Sequence, residues 1–200
     1  IDTFNVPAWA YEMLNRINNS DYAEIKLVVL NKSKQKKQNL ISKLHEKWRN
    51  LHSIIIQQMV WFTFNAIEKR SSGWRDAFEV RNCEELIQDA KKISIMPLMS
   101  KHSDRFKEED IKIVKHENID VLIRLGFRIL RGEILSAANH GVWSLHHGDN
   151  RVNRGGPAGF WEFYHKWPCT GSTLQVLTEK LDNGVVLYRS STCTDQSSLL

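Results

Sequence analysis

Apolar positions along the chain change their period several times, and each change marks an element. Between Pro7 and Asn18, Trp9, Met13, Leu14 and Ile17 recur at helical spacing, and Pro7 stands where a first helical turn accepts proline. Glu24–Leu30 (EIKLVVL) is short, apolar and β-branched, which predicts a buried strand after the turn-like Asn18-Asn19-Ser20-Asp21. From Ser33 to Lys69, Leu40, Leu44, Trp48, Leu51, Ile55, Met59 and Phe62 recur every three or four residues. That pattern predicts one long amphipathic helix or two in series, closed by Ser71-Ser72-Gly73. A short helix over Cys83–Lys91 and a brief strand over Ile93–Met96 follow.

The second half alternates more regularly. A helix is expected over Glu108–Glu117, a buried strand over Ile119–Phe127, a helix over Arg131–Ala138 and a strand over Gly141–His147 (GVWSLHH). A loop rich in Gly, Asn and Arg (148–157) leads to a helix over Gly159–His165, then to strands over Ser172–Leu177 and Gly184–Tyr188. Strands separated by helices imply parallel pairing and right-handed crossovers. The expected fold class is therefore α/β: an open, mostly parallel, twisted sheet with helices on both faces. One domain accounts for residues 1–200, with the helical stretch of about 33–70 as an insertion. The αβ order also fits a strand ahead of Ile1, and a further domain fits after Leu200.

Composition narrows the class. The 200 residues are 42% hydrophobic and 26% charged, inside the globular range, with no internal repeat or low-complexity linker. The longest apolar runs, Ile54–Phe64 and Ile119–Leu130, are interrupted by Gln, Asn or Arg and fall short of a membrane span. The opening residues do not read as a charged and apolar leader, and a cut or incomplete N-terminus is the expectation. The three cysteines, Cys83, Cys169 and Cys193, lie far apart in sequence, which suits free thiols in a cytoplasmic, reducing compartment, and Cys169 reads as structural. The net charge is +5, yet Lys32–Arg49 alone carries +6 and the remainder about −1. Basicity thus belongs to one segment, read first as a solvated helix surface. Contact of that segment with an anionic partner such as tRNA is the less favoured reading, and it would weaken steeply with salt.

The polar chemistry gathers after the later strands. His140, Ser144, His146, His147, Asp149, Asn150 and Arg154 fall within fifteen positions, and Asp182 follows in Leu-Asp-Asn-Gly. A strand ending in His-His-Gly-Asp delivers imidazoles and a carboxylate to the crevice where such sheets bind ligands, which suits acid/base work. His146, His147 and Asp149 could also ligate a metal, but adjacent strand residues point to opposite faces, and no metal is expected. The bland readings compete. His146 can be a satisfied strand-end histidine, Asp182 a turn residue before Gly, Arg128–Leu130 a helix start and Arg154 a surface residue. The aromatic group Trp143, Phe160, Trp161, Phe163, Tyr164 and Trp167 reads as packing.

Five short stretches, in order, resemble the folate-dependent formyltransferases, the family of glycinamide ribonucleotide and methionyl-tRNA formyltransferases. Gly126-Phe127-Arg128-Ile129-Leu130 looks like the family's Gly-Phe-x-Arg-Ile-Leu with one residue deleted. Ser144-Leu145-His146 occupies the place of Asn-x-His, and Arg154-Gly155 that of an Arg-Gly pair. Thr170-Gly171-Ser172-Thr173 and Leu181-Asp182-Asn183-Gly184 match Thr-Gly-x-Thr and Leu-Asp-x-Gly. The resemblance covers Ile119–Leu187, and residues 1–118 match less well.

The resemblance implies a Rossmann-type formyltransferase fold and 10-formyltetrahydrofolate as formyl donor to a small-molecule amine. It implies His146, Asp182 and Ser144 as catalytic residues. Phe127, Arg128, Ile129, Leu130, Glu179 and Leu181 would border the folate, and Asn5, Asp149, Asn150 and Arg154 the acceptor. Two departures stand out: Ser144 replaces the family's Asn, and His147-Gly148-Asp149-Asn150-Arg151 replaces its Pro/Gly-Ser-Leu-Leu-Pro. Asp149 and Asn150 are candidate substitutes for the lost polar contacts. The alternatives are a formyltetrahydrofolate hydrolase, which gives the formyl group to water, and a non-catalytic ligand-binding module of the same fold.

Overall fold

The computed structural model describes residues 1–35, 77–148, 159–180 and 183–194. Beyond Gln35 the long helix expected over Ser33–Lys69 lies outside the described residues, as do Asp149, Asn150, Arg154, Leu181 and Asp182.

The chain begins with β1 (Asn5–Pro7) and α1 (Ala8–Asn18). Pro7, with φ −65°, caps a helix that buries Ala8, Ala10 and Leu14. Strand β2 (Leu27–Asn31) follows and runs into a short helix, α2 (Lys32–Gln35). Strand β3 (Val80–Asn82) pairs antiparallel with β1, while β4 (Lys91–Ile95) pairs parallel with β2, from Leu27 opposite Lys91 to Asn31 opposite Ile95. Val28 and Leu30 of β2 pack with Ala10 and Leu14 of α1 and with Cys83 and Ile87, forming the first core cluster. Ile1 donates to Val29 O (2.7 Å) and accepts from Asn31 N (3.0 Å) on the other edge of β2.

Strands β5 (Leu98–Met99) and β6 (Ser103–Arg105) lead into α3 (Glu108–His116). Glu108, Glu109 and Asp110 in its first turn and Lys115 and His116 in its last complement the helix dipole, and Ile111 and Val114 are its buried face. Next come β7 (Leu122–Ile123), β8 (Ile129–Arg131), β9 (Val142–His147), α4 (Phe160–Tyr164), β10 (Cys169–Val176) and β11 (Val185–Cys193). Strand β8 pairs parallel with β6, which is itself antiparallel to β5, and β7 pairs parallel with β9. The second core cluster joins Ile95, Phe106, Ile111, Val114, Leu130, Ile134 and Val142 beneath these strands. Helices and parallel pairs together place the chain in the expected α/β class. No helix among the described residues is long and apolar enough to cross a membrane.

Four local expectations are corrected. The apolar run Ile119–Phe127 contributes only Leu122–Ile123 as strand, because Arg124 turns inward and Phe127 adopts φ +59°. Gly126 is needed in that turn, since a Cβ there would lie 2.5 Å from Asp2 N. Residues expected as a helix over Arg131–Ala138 form the end of β8 and a 3-10 turn at Glu133–Ser136, with Gly132 at φ +83° between them. The helix expected over Cys83–Lys91 is one 3-10 turn, Glu85–Ile87. Finally, β10 runs antiparallel to both of its neighbours, β9 and β11, and the eight residues between β10 and β11 are too few for a crossover.

The loop between β7 and β8 is held by Asp104, 1% exposed at the centre of β6. Its Oδ1 accepts from Arg128 Nε (2.9 Å) and Nη2 (2.6 Å), and its Oδ2 accepts from Arg128 N (2.8 Å). The same guanidinium donates to the carbonyls of Ser100, Lys101 and Ser103. Removing the carboxylate leaves a half-buried cation without its counter-ion and the Arg128 backbone N–H without a partner. Asp104→Ala is therefore expected to cost about 3 kcal/mol in denaturant unfolding, whereas a loss under about 1 kcal/mol would mean the loop is held by packing alone.

Candidate functional site

The site is built on β9. Alternation along this strand sends Val142, Ser144 and His146 to one face, and their surroundings change along it from core to cleft. Val142 is 1% exposed within the second core cluster, Ser144 is 3% exposed, and His146 is half-buried at the strand's end. Across the antiparallel ladder Gln175 stands opposite Ser144 and Thr173 opposite His146, and directly opposed residues share a face. Gln175 and Thr173 are also buried. Four polar side chains thus form a patch on the inner face of β9 and β10.

This patch is under-satisfied. Among the described residues, the buried polar side-chain atoms with no hydrogen-bond partner are His146 Nδ1, Thr173 Oγ1 and Gln175 Oε1, and all three belong to it. A buried donor or acceptor without a partner costs about 1–3 kcal/mol, so native structures keep few of them. All three lie on one patch, where water or a polar ligand can complete their hydrogen bonds.

Ser144 has a partner that the sequence did not reveal. Arg124, at the end of β7, donates from Nε to Ser144 Oγ (3.2 Å) and from Nη1 to the carbonyls of Phe127 (3.2 Å) and Arg128 (3.3 Å). Burial lowers the guanidinium's pKa and Asp2 opposes this, yet arginine stays charged at any ordinary pH. No carboxylate among the described residues forms an ion pair with it. A fixed positive charge therefore lies behind the Ser144 hydroxyl, favouring negative charge in the adjoining space. That hydroxyl accepts the guanidinium hydrogen and directs its own proton to Leu145 O at a long 3.5 Å.

A cleft of about 100 Å³ brings Arg124, Ser144, His146 and Gln175 together with Ile129, Leu130, Leu177, Lys180 and Gly184. Of the residues expected at the site from sequence, the structure gathers Ser144, His146, Ile129 and Leu130. Lys180 and Gly184 stand on either side of the stretch containing Leu181 and Asp182. The remaining expectations fare differently. Arg128 spends its side chain on Asp104, as described above. Phe127 packs its ring on Phe106, with centroids 5.1 Å apart, and donates its N–H to Asp2 Oδ1. Glu179 accepts from Gly132 N (2.5 Å) and from Arg131, joining the loop after β10 to the end of β8. Asn5 is exposed on β1, where its N–H and carbonyl are bonded to Thr3 Oγ1. His147 is exposed and its ring stacks on that of His146 at 5.2 Å.

A second, larger cavity of about 940 Å³ lies between β2 and β7. Its walls are strand side chains such as Leu27, Val29, Leu122 and Ile123, and it shares Arg124 and Leu130 with the smaller cleft. It holds none of Ser144, His146 and Gln175, which line the smaller space. That space admits a reacting group and its oxygen, not a whole drug-sized ligand.

Among solved structures the chain is similar to glycinamide ribonucleotide transformylase 1 from Geobacillus kaustophilus, with a TM-score of 0.53 and 13% identity over 94% of this chain and 79% of that one. It is also similar to glycinamide ribonucleotide transformylase 1 from Symbiobacterium toebii, at a TM-score of 0.42 and 17% identity over 55% of this chain and 53% of that one. A formyltetrahydrofolate deformylase from Pseudomonas syringae pv. tomato gives a TM-score of 0.44 and 19% identity over 56% of this chain and 38% of that one. The chain thus spans about half or less of these last two. No family model and no curated protein matches the sequence. The fold is that of the folate-dependent formyltransferases.

The Arg124–Ser144 contact has a measurable signature. In a double-mutant cycle of Arg124→Met and Ser144→Ala, unfolding free energies should show a coupling of about 1 kcal/mol, within the 0.5–3 kcal/mol found for residues in contact. Additive effects would show that the hydroxyl and the guanidinium act independently.

Proposed function

We propose that this protein transfers a formyl group from 10-formyltetrahydrofolate to an amine, at the cleft where β9 ends. The observation that carries the reading is the cluster of orphaned polar atoms around Ser144 and His146, on a fold shared with a glycinamide ribonucleotide transformylase. The reaction needs such groups. As the amine nitrogen attacks the formyl carbon, the carbonyl π electrons move to oxygen, and donors aimed at that oxygen lower the barrier. One donor is worth about 2.7–4 kcal/mol.

In this reading a protonated His146 is the principal donor. Ser144 supplies a second hydrogen bond, with its oxygen positioned by Arg124. A hydroxyl has a shorter reach than the amide the family places here, so Ser144 contacts the oxyanion directly or through one water. Asp182 takes the proton that the amine loses, directly or through water. Collapse of the tetrahedral intermediate breaks the bond to N10 of the folate, which takes up the proton that Asp182 received and leaves as tetrahydrofolate. Ile129 and Leu130 offer an apolar border for the donor. The acceptor is an amine, and glycinamide ribonucleotide is the first to try because the similar Geobacillus enzyme is named for it.

The test is turnover of 10-formyltetrahydrofolate, with formate and formylated amine measured separately. Formylated amine is expected from the native protein, with His146→Ala and Asp182→Asn each lowering kcat by about 10²–10³. Unchanged turnover in both variants would contradict the assignment of the site. Formate released without any amine would instead indicate hydrolysis. Absence of turnover with every amine, while the donor still binds, would indicate a binding module of the same fold.

A further inference from the structure

The structure treats the three cysteines unequally. Cys83 is fully buried beside α1, in the first core cluster, whereas Cys169 and Cys193 are exposed. These last two, far apart in sequence, face each other directly as the opposed residues at one end of the β10–β11 ladder. Thr194 N–H donates to Pro168 O (2.9 Å), and this bond flanks the pair from outside. Cys169 and Cys193 therefore occupy a non-hydrogen-bonded position, where opposed Cα atoms are about 4.5 Å apart and side chains lie closest. Disulfides need Cα separations of about 4.4–6.8 Å and side chains on one face, and this position meets both requirements.

We propose that Cys169 and Cys193 are a thiol modification site that closes to a cross-strand disulfide when a small-molecule disulfide is present. One cysteine thiolate attacks a sulfur of the small disulfide, forming a mixed disulfide and releasing one small thiol. The thiolate across the ladder then attacks the protein sulfur of that mixed disulfide and releases the second small thiol. The protein loses two protons and two electrons, and the small disulfide gains them.

The bond would act on the end of the sheet that carries the candidate site. Strand β10 pairs with β9 only from Ser172 to Val176, so Cys169–Gly171 extends beyond β9 and pairs with β11 alone. A two-stranded ribbon is marginally stable by itself. Gly171 O accepts from Gly148 N (2.8 Å), two residues beyond His146. A covalent rung at Cys169–Cys193 stiffens the ribbon against which β9 ends.

The experiment incubates the native protein with oxidised glutathione, then counts free thiols after denaturation, measures intact mass and maps linked peptides. The proposal predicts one remaining thiol, a mass lower by two hydrogens, and a Cys169–Cys193 linkage. It also predicts a higher Tm that dithiothreitol reverses. Cys83→Ala should form the same linkage, and Cys169→Ser should stop at a glutathione adduct on Cys193. Stable glutathione adducts on both exposed cysteines of the native protein, a linkage involving Cys83 or a second chain, or three unreacted thiols would each overturn it.

Discussion

The double pairing of β9 is the constraint on which the rest depends. Parallel to β7 on one side and antiparallel to β10 on the other, it has no freedom to slip, because a one-residue shift would send Val142 to the wrong face and bury Trp143 in its place. With the register fixed, the side chains after Val142 on that face are Ser144 and His146. The apolar anchor and the polar pair are thus parts of one alternating pattern, and the strand carries the site from the core into the cleft. The antiparallel partner completes it by setting Gln175 and Thr173 against them. An all-apolar face would be more stable here, and the unmet hydrogen bonds of His146, Thr173 and Gln175 are the stability given up for a polar surface.

Two arginines divide the work of holding the neighbouring loop. Arg128 is spent on Asp104 and three carbonyls, which ties the start of β8 to β6. Arg124 bonds the carbonyls of Phe127 and Arg128 with one nitrogen and Ser144 with another, so it spans from the loop to β9. Between them Phe127 is kept at a positive φ that a phenylalanine seldom adopts, with its ring on Phe106 and its N–H on Asp2. A non-glycine residue in this region persists only where its surroundings over-determine it, and such positions cluster at ligand sites. Here the over-determination comes from charge and hydrogen bonding as much as from packing.

Much of this was legible in the sequence where one physical signal acted alone. The alternation of Gly141–His147 marked β9 and its end, and acids followed by bases with Ile111 and Val114 between them marked α3. Signals failed where they competed. The apolar run Ile119–Phe127 looks like a strand, but a half-buried Arg124 and a glycine forced by the closeness of Asp2 turn it after two paired residues. Arg128 looked like a ligand residue within a motif, and only the register of β6 against β8 shows Asp104 consuming it. Ser144 and His146 stand out through the polar crowding and the resemblance to a family motif, whereas Gln175 and Arg124 do not, since their contacts arise from strands distant in sequence. The pairing of Cys169 with Cys193 is invisible for the same reason, because it depends on ladder register and not on local pattern. Ser172–Leu177 reads as a strand, yet its antiparallel pairing with β9 across a connection long enough for a crossover is not legible in the local pattern.

The central claim is that the fold's polar cleft serves a formyl-folate. It is tested most directly by calorimetric titration of a stable 10-formyltetrahydrofolate analogue into the native protein, with the protein shown to be folded in the same buffer. Micromolar binding, weakened in the Ser144→Ala and His146→Ala variants, is the predicted result. No heat of binding up to about millimolar analogue, equivalent to less than about 4 kcal/mol of affinity, would contradict it.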